Sequence, residues 1–224
     1  MQQSCQRLWS VGSIALGCVL LASPSHAQIV PDNTLAPENT IVLPNQVIHG
    51  VLSDRIDGGA IRGTNLFHSF WDFNVLDGRG AYFSNPIGIE NILSRVTGSN
   101  PSHILGRLGV LGNANLFLLN PNGIVFGANA RLDIPGSLTA TTASSIQLGQ
   151  TGLFSATAPQ QSTLLSMQPG ALFLNAVASQ PATIVSQGNL ATGKDLTLAA
   201  SHLTLSGQLR AGGNLTLQAA DTLT

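Results

Sequence analysis

Four aspartates are the side chains of this sequence best suited to chemistry. Asp54 and Asp57 are close in sequence, and Asp72 and Asp77 flank a turn. Such acids could hold calcium. With an Arg or Lys base on the same face they would suit a polysaccharide-active enzyme. However, Asp57 precedes Gly58-Gly59 and Asp77 precedes Gly78, and these are ordinary turn positions. Asp77-Gly78-Arg79-Gly80 also lacks the alternating oxygen ligands of a calcium loop. Turn roles therefore outrank ligand roles. His49, His68, His103 and His202 are scattered, and none forms the His-x-His or His-x-x-x-His pair that suggests zinc. There is no Gly-x-Ser-x-Gly elbow and no phosphate loop. Gly212-Gly213 precedes a strand, not a helix, and the glycosylation triplet Asn214-Leu215-Thr216 lies within a repeat strand. The expectation is a chain that is not an enzyme and has no catalytic residues, metal or cofactor.

Composition narrows the class further. Only 8% of the 224 residues are charged, against roughly 25% in an average protein. The formal net charge is −1, with one lysine, Lys194, and scattered arginines. Nucleic-acid binding needs a cluster of cations to displace counterions, so that class is excluded. The N-terminus has the layout of an export signal: Arg7, an apolar run Val11–Ala22, and the small-x-small site Ser25-His26-Ala27. Residues 1–27 are read as a signal peptide, with a mature start at Gln28. A lipoprotein signal at Cys18 is the rival. Both cysteines, Cys5 and Cys18, fall inside this signal, so the mature chain relies on packing and backbone hydrogen bonds alone.

The rest reads as short strands and sharp corners. Residues 28–40 are an irregular lead-in rich in Pro, Asn and Asp. Ile41–Leu43 and Gln46–Ile48 are strand candidates split by Pro44-Asn45. Phe67, Phe70, Trp71, Phe73, Tyr82 and Phe83 crowd most of the aromatics into one small region. A stack of coils needs a cover over its open end, so Ile41–Phe83 is read as a cap. An aromatic platform for sugar rings is the alternative. Residues 144–180 are expected to keep the pattern less regularly, with a short strand at Leu172–Leu174. Gly188–Ala199 and Gly207–Gln218 then match at an offset of 19: Gly188/Gly207, Leu190/Leu209, Gly193/Gly212 and Leu196-Thr197-Leu198/Leu215-Thr216-Leu217. Gly-bounded repeats of this length predict an all-β solenoid, leucines on one side and threonine on the other. A further unit would begin past Thr224, so the chain is expected to be a fragment of a longer protein or a short paralogue.

The central stretch Ala114–Ala143 carries the sharpest motif. Asn120-Pro121-Asn122-Gly123 fits a type I turn, with Pro at the second position and Gly last. Together with Ile124 it matches the Asn-Pro-Asn-Gly-Ile motif of the filamentous haemagglutinin N-terminal domain, the secretion domain of two-partner secretion exoproteins. The resemblance extends from about Ile41 through Ile146, including Ile56–Phe83, Asn85–Thr97, Asn100-Pro101-Ser102 and Ala140–Ala143. Wording such as RGTNLFHSF and SLTATTA looks most like cyanobacterial members. Many members carry an earlier Asn-Pro-Asn-Leu motif. Here only Asn85 and Pro86 match it, and Ile87-Gly88 departs from it. The resemblance implies a right-handed parallel β-helix with an N-terminal cap, with residues 41–150 as the two-partner secretion domain and 151–224 as continuing coils. It also implies export across the inner membrane by the general secretion machinery. The periplasmic POTRA domains of an outer-membrane barrel transporter would then recognise the chain, and the product would be secreted or held at the cell surface. The exported body is typically an adhesin. A polysaccharide-active β-helix enzyme and a glycan-binding adhesive module remain the rival readings, the latter with a cell-surface or extracellular glycan as partner.

Overall fold

A computed structural model describes residues 29–164, 169–173 (backbone only) and 182–224. The expected export signal, and Leu174 of the strand expected near residue 172, lie outside the described residues. Among the described residues the secondary structure is strand, apart from one 3-10 turn at Pro159–Gln161.

The fold opens with an antiparallel cap. β1 (Ile29–Pro31) lies inside the segment expected to be irregular. β2 (Thr40–Ile48) and β3 (Val51–Gly58) form a hairpin. His49 and Gly50 close it with φ of 47° and 76°. Two successive left-handed residues give the primed turn whose twist suits a tight hairpin. Pro44-Asn45 does not split the strand as expected. It sits in a bulge inside β2, where the register shifts between Leu43 and Gln46. β4 (Ala60–Arg62) and β1 both pair antiparallel with β5 (Asn65–Phe73), β4 along Asn65–Phe67 and β1 along Phe70–Phe73. The outer edge of β5 is thereby covered, and covered edges do not recruit foreign strands.

Beyond the cap the chain winds as a right-handed parallel β-helix. β6 (Gly80–Ser84) completes the first coil, which β5 begins. The second coil is β7 (Asn91–Val96), β8 (Ser102–Ile104) and β9 (Arg107–Leu111). The third is β10 (Asn115–Leu119), β11 (Ile124–Phe126) and β12 (Arg131–Asp133). Each strand pairs in parallel with its counterpart in the next coil: β5 with β7 with β10, β8 with β11, and β6 with β9 with β12. The aromatic stretch thus belongs to the first coil, one step inside the cap expected to contain it. β13 (Leu138–Thr141) begins the fourth coil, and the chain then leaves the helix.

This departure corrects the expectation that residues 144–180 continue the coil pattern. β14 (Ser145–Leu148), β15 (Gly152–Ser155) and β16 (Pro169–Phe173) form an antiparallel side sheet. The helix resumes with β17 (Thr183–Ser186), β18 (Leu190–Thr192), β19 (Leu196–Leu205), β20 (Leu209–Ala211) and β21 (Leu215–Leu223). Leu196 pairs with Leu215 and Leu190 with Leu209, the 19-residue repeat seen in the sequence. Earlier coils are longer: Asn65 pairs with Asn91, Asn91 with Asn115, and Leu116 with Leu138. The period falls from 26 to 24 to 22 residues before reaching 19.

Side chains alternate across the coil wall. Leu66, Phe70, Ile92, Leu116, Leu118, Leu138, Leu196 and Leu198 fill the interior, while Thr197 is half-buried on the other face. Phe70, Phe73 and Phe83 pack together near the cap, with ring centroids 5.0–6.3 Å apart. Each such ring contributes roughly 2–3 kcal/mol through burial, so the largest apolar groups lie at the capped end.

Candidate functional site

Asn120-Pro121-Asn122-Gly123 forms the corner between β10 and β11. The Gly123 N–H donates to the Asn120 carbonyl at 3.1 Å, the bond that closes the expected turn. The Asn120 side chain is fully buried. Its Nδ2 donates to the Asn100 carbonyl and to Ser102 Oγ, both at 3.0 Å. Its Oδ1 accepts from the Asn122 backbone N–H at 2.9 Å and from Asn122 Nδ2 at 3.1 Å. Asn122 Nδ2 also donates to the Gly98 carbonyl at 2.8 Å. One asparagine therefore shapes its own turn and ties it to the corresponding corner of the coil before. Gly123 has φ 117°, and a Cβ there would lie 3.0 Å from the Thr183 carbonyl. Ile124 is fully buried and pairs with Ser102 on one side and Ile184 on the other. Pro121 is half-buried and Asn122 exposed, so the motif meets solvent through these two.

Asn85 and Pro86 lie at a different corner, between β6 and β7. Asn85 Oδ1 accepts from the Ala114 N–H at 3.0 Å, and its Nδ2 donates to the Ile89 carbonyl at 3.0 Å. The Ile89 N–H donates to the Pro86 carbonyl at 3.1 Å and closes the turn. Gly88 has φ 86°, and Ile87, where the resemblance departs from the family pattern, is fully exposed. A shallow pocket lined by Arg55, Asp57, Ser84 and Asn85 opens beside this corner. The structure does not bring the two Asn-Pro motifs together. It gives their asparagines a similar task, which is to bond one corner to a neighbouring coil, Asn120 to the coil before and Asn85 to the coil after.

The aspartates do not converge on a shared site. Asp54 pairs with Arg79 at 2.9 Å, and Asp57 pairs with Arg55 at 2.8 Å and accepts from Ser84 Oγ. Asp72 accepts from Asn100 Nδ2 at 2.9 Å, and Asp77 from Asn129 Nδ2 at 3.0 Å. Each carboxylate is taken up by its own partner. Among the described residues no cluster of His, Cys, Asp and Glu could hold a metal ion. His68 is fully buried, with Nδ1 3.2 Å from Thr40 Oγ1. Burial pushes its pKa down to about 3, against the opposing charge of Asp57, so it is a neutral core side chain. His49 Nδ1 lies 2.7 Å from Asp133 Oδ2, which also accepts from Tyr82 Oη at 2.8 Å. That network fastens the cap hairpin to the third coil. Burial and the Asp133 contact raise the Tyr82 phenol to about 12. Of the six clustered aromatics Trp71 alone is exposed, at 54%, and the others are buried. These six residues therefore present no broad sugar platform, and the five buried rings serve the core.

The TPS secretion domain family model matches residues 27–223 of this chain. The chain belongs to the TPS secretion domain family. A solved structure described as the crystal structure of filamentous hemagglutinin secretion domain is similar at 19% identity, with a TM-score of 0.35. That match covers 88% of this chain and 99% of the other. No curated protein matches. The family is one of secretion domains of exoproteins, not an enzyme family, and a two-partner secretion domain implies a secreted product and a partner transporter.

Sequence reasoning missed two features of this secretion domain. The first is a polar ladder along one edge of the stack. Asn91 Nδ2 donates to Asn65 Oδ1 and Asn115 Nδ2 to Asn91 Oδ1, both at 3.0 Å. The Ser137 N–H continues it to Asn115 Oδ1 at 3.1 Å, and the Asn214 N–H reaches Asp195 Oδ1 at 2.7 Å. Stacked amides of this kind fix register between coils. Asn preceding the apolar run in NLFHSF, NILSRV and NLFLL was its visible signal. The second is Arg95, which is fully buried. Its Nε donates to Ser69 Oγ at 2.9 Å and its Nη2 to Thr34 Oγ1 at 2.8 Å. Its Nη1 donates to the Ser155 carbonyl at 2.7 Å and to Ser162 Oγ at 2.6 Å. The guanidinium stands 4.5 Å from the centre of the Phe154 ring. Burial lowers its pKa to about 10, with the Asp32 charge acting the other way, so it stays protonated. Burial pushes Asp32 up, but hydrogen bonds from Thr97, Thr34 and Ser69 outweigh that and hold it below the usual aspartate range.

Proposed function

We propose that this chain is the N-terminal secretion-recognition and folding-nucleation domain of a two-partner secretion exoprotein of the haemagglutinin or adhesin type. Residues 1–27 direct it through the general secretion machinery to the periplasm. The POTRA domains of a dedicated outer-membrane barrel transporter then recognise it while it is unfolded or partly folded. The family match over residues 27–223 carries this reading. That match starts at Ala27, where the expected cleavage site ends. The coil architecture supports the nucleation role. Stacked coils bury surface mainly against their neighbours, so order can spread along the chain from a formed end. The capped end, which holds the buried ring cluster, is the end that forms first. Each coil added outside the cell disfavours backsliding.

The test is genetic and direct. The partner transporter is deleted and the culture medium assayed for the exported chain. Loss of the chain from the medium, with retention in the periplasm, is the expected outcome. Undiminished secretion would sink the proposal.

A further inference from the structure

The outward face of the coil stack is closed by a separate piece. Phe67, Leu93 and Leu119 point out of β5, β7 and β10. Ile146, Leu148 and Phe154 of the β14–β15 hairpin cover them, forming a second apolar cluster apart from the coil interior. The coils can therefore bury their interior without the hairpin. Arg95 joins the two parts. Its acceptors come from Thr34 in the lead-in and Ser69 on β5, and from Ser155 and Ser162 on and after β15. The Thr34 and Ser69 hydroxyls also bond to Asp32, so that carboxylate faces the guanidinium through them.

We propose that the β14–β15 hairpin, with the turn that follows it through Ser162, is a separately opening clasp latched by Arg95. The clasp closes only after the coils beneath it have formed. This deepens the folding-nucleation reading and rests on it for its role in export. Before residues 155–162 arrive, the Arg95 guanidinium lies in water and costs nothing to keep charged. Once the hairpin docks, the guanidinium is buried and must make its hydrogen bonds, since a buried charge left unpaired is strongly unfavourable. Phe154 docks in the same step, its ring over the cation. The latch therefore reports that some twenty residues beyond β13 have emerged (Thr141 to Ser162). In the open form, Phe67, Leu93 and Leu119 are an apolar patch on the outside of an otherwise formed stack.

Hydrogen exchange read by mass spectrometry on the purified mature chain tests this directly. In Arg95→Met, amides of 145–155 are expected to exchange about tenfold faster or more, given the charge-assisted bonds lost. Those of β10, β13 and β19 should keep their protection. Binding of a hydrophobic dye should rise in parallel. Ser162→Ala removes the oxygen that accepts from Arg95 Nη1 and from the Ser155 N–H. Leaving Ser155 itself aside, amides 145–154 should show a smaller, severalfold change, and this variant serves if Arg95→Met does not fold. Equal acceleration of the hairpin and of β10 and β13 would show one cooperative unit and overturn the clasp. Unchanged exchange at 145–154 in both variants would do so too. Neither result bears on transporter recognition, which the deletion assay reads independently.

Discussion

Replacing Asn120 with alanine separates the two roles its corner could have. The substitution removes four hydrogen bonds: two that Nδ2 donates, to the Asn100 carbonyl and Ser102 Oγ, and two that Oδ1 accepts from Asn122. The site is fully buried, so water does not replace them. At about 1 kcal/mol net per neutral bond, with partial relaxation, the loss is about 2–4 kcal/mol. Asn122→Ala removes a side chain exposed to solvent and should cost about 0.5–1 kcal/mol. Urea unfolding of the purified mature chains distinguishes the two. With a slope of about 2–3 kcal/mol/M, Asn120→Ala should lower the midpoint by about 1 M, and Asn122→Ala by much less. Secretion is then assayed for both in cells carrying the transporter. A wild-type midpoint for Asn120→Ala would refute the structural account of the corner. If Asn122→Ala keeps its midpoint but is no longer secreted, the turn is an address as well as a corner.

Three further outcomes follow from the geometry. Gly123→Ala should destabilise by about 1–2 kcal/mol in the same urea assay, since φ is 117° and the new Cβ would press on the Thr183 carbonyl. The buried neutral His68 makes the fold acid-sensitive. Its folded pKa of about 3 lies below the unfolded value near 6.5, so the unfolded chain takes up the proton first. Stability is full above the unfolded value and falls by about 1.4 kcal/mol per pH unit between there and the folded pKa, so about 2 kcal/mol is lost by pH 5. His68→Phe should flatten that slope in unfolding curves taken from pH 7 to 5, and an unchanged slope would remove His68 as its source. Finally, Trp71→Ala should change stability by less than about 0.5 kcal/mol and Phe83→Ala by about 3–5 kcal/mol. Thermal melts decide between a core role and a surface role for each ring.

The sequence made the coil legible where local chemistry repeats. Leu196-Thr197-Leu198 and its copy 19 residues on showed the alternation, and the structure pairs them residue for residue. The Asn120–Gly123 turn was equally legible, because Pro sets one φ and Gly admits another. The cap hairpin was hidden. Its primed turn uses His49-Gly50 where Asn-Gly or Asp-Gly is the strong hairpin signal. The side sheet was hidden for a different reason. β14 and β15 are short apolar runs like those of the coils, and nothing local distinguishes antiparallel pairing outside the stack from parallel pairing within it. The all-buried pattern of β7 held a clue. A coil strand with one solvated face would alternate, whereas Asn91–Val96 is buried throughout, Arg95 included. A strand buried on both faces requires a second layer, which the side sheet after β13 supplies together with the lead-in at Thr34 and Leu35.

On the proposed reading, in which a transporter recognises the motif, the placement of Asn120 constrains how it can do so. In the folded domain its side chain is sealed between two corners, and every polar atom on it is bonded within the stack. A partner that meets the folded domain can touch Pro121 and Asn122 but not Asn120. A partner that reads Asn120 must do so before the corner closes, while the chain is still extended. The two cases predict opposite responses to pre-folding. If Pro121 and Asn122 are what is read, the folded domain competes with the nascent chain for the transporter's periplasmic domains. If Asn120 is read, the folded domain is invisible to them and a urea-unfolded chain, freshly diluted, binds. The full burial of Asn120, with Asn85 only half-buried and Asn122 exposed, makes Asn120 the one asparagine of the two corners that only an extended chain presents.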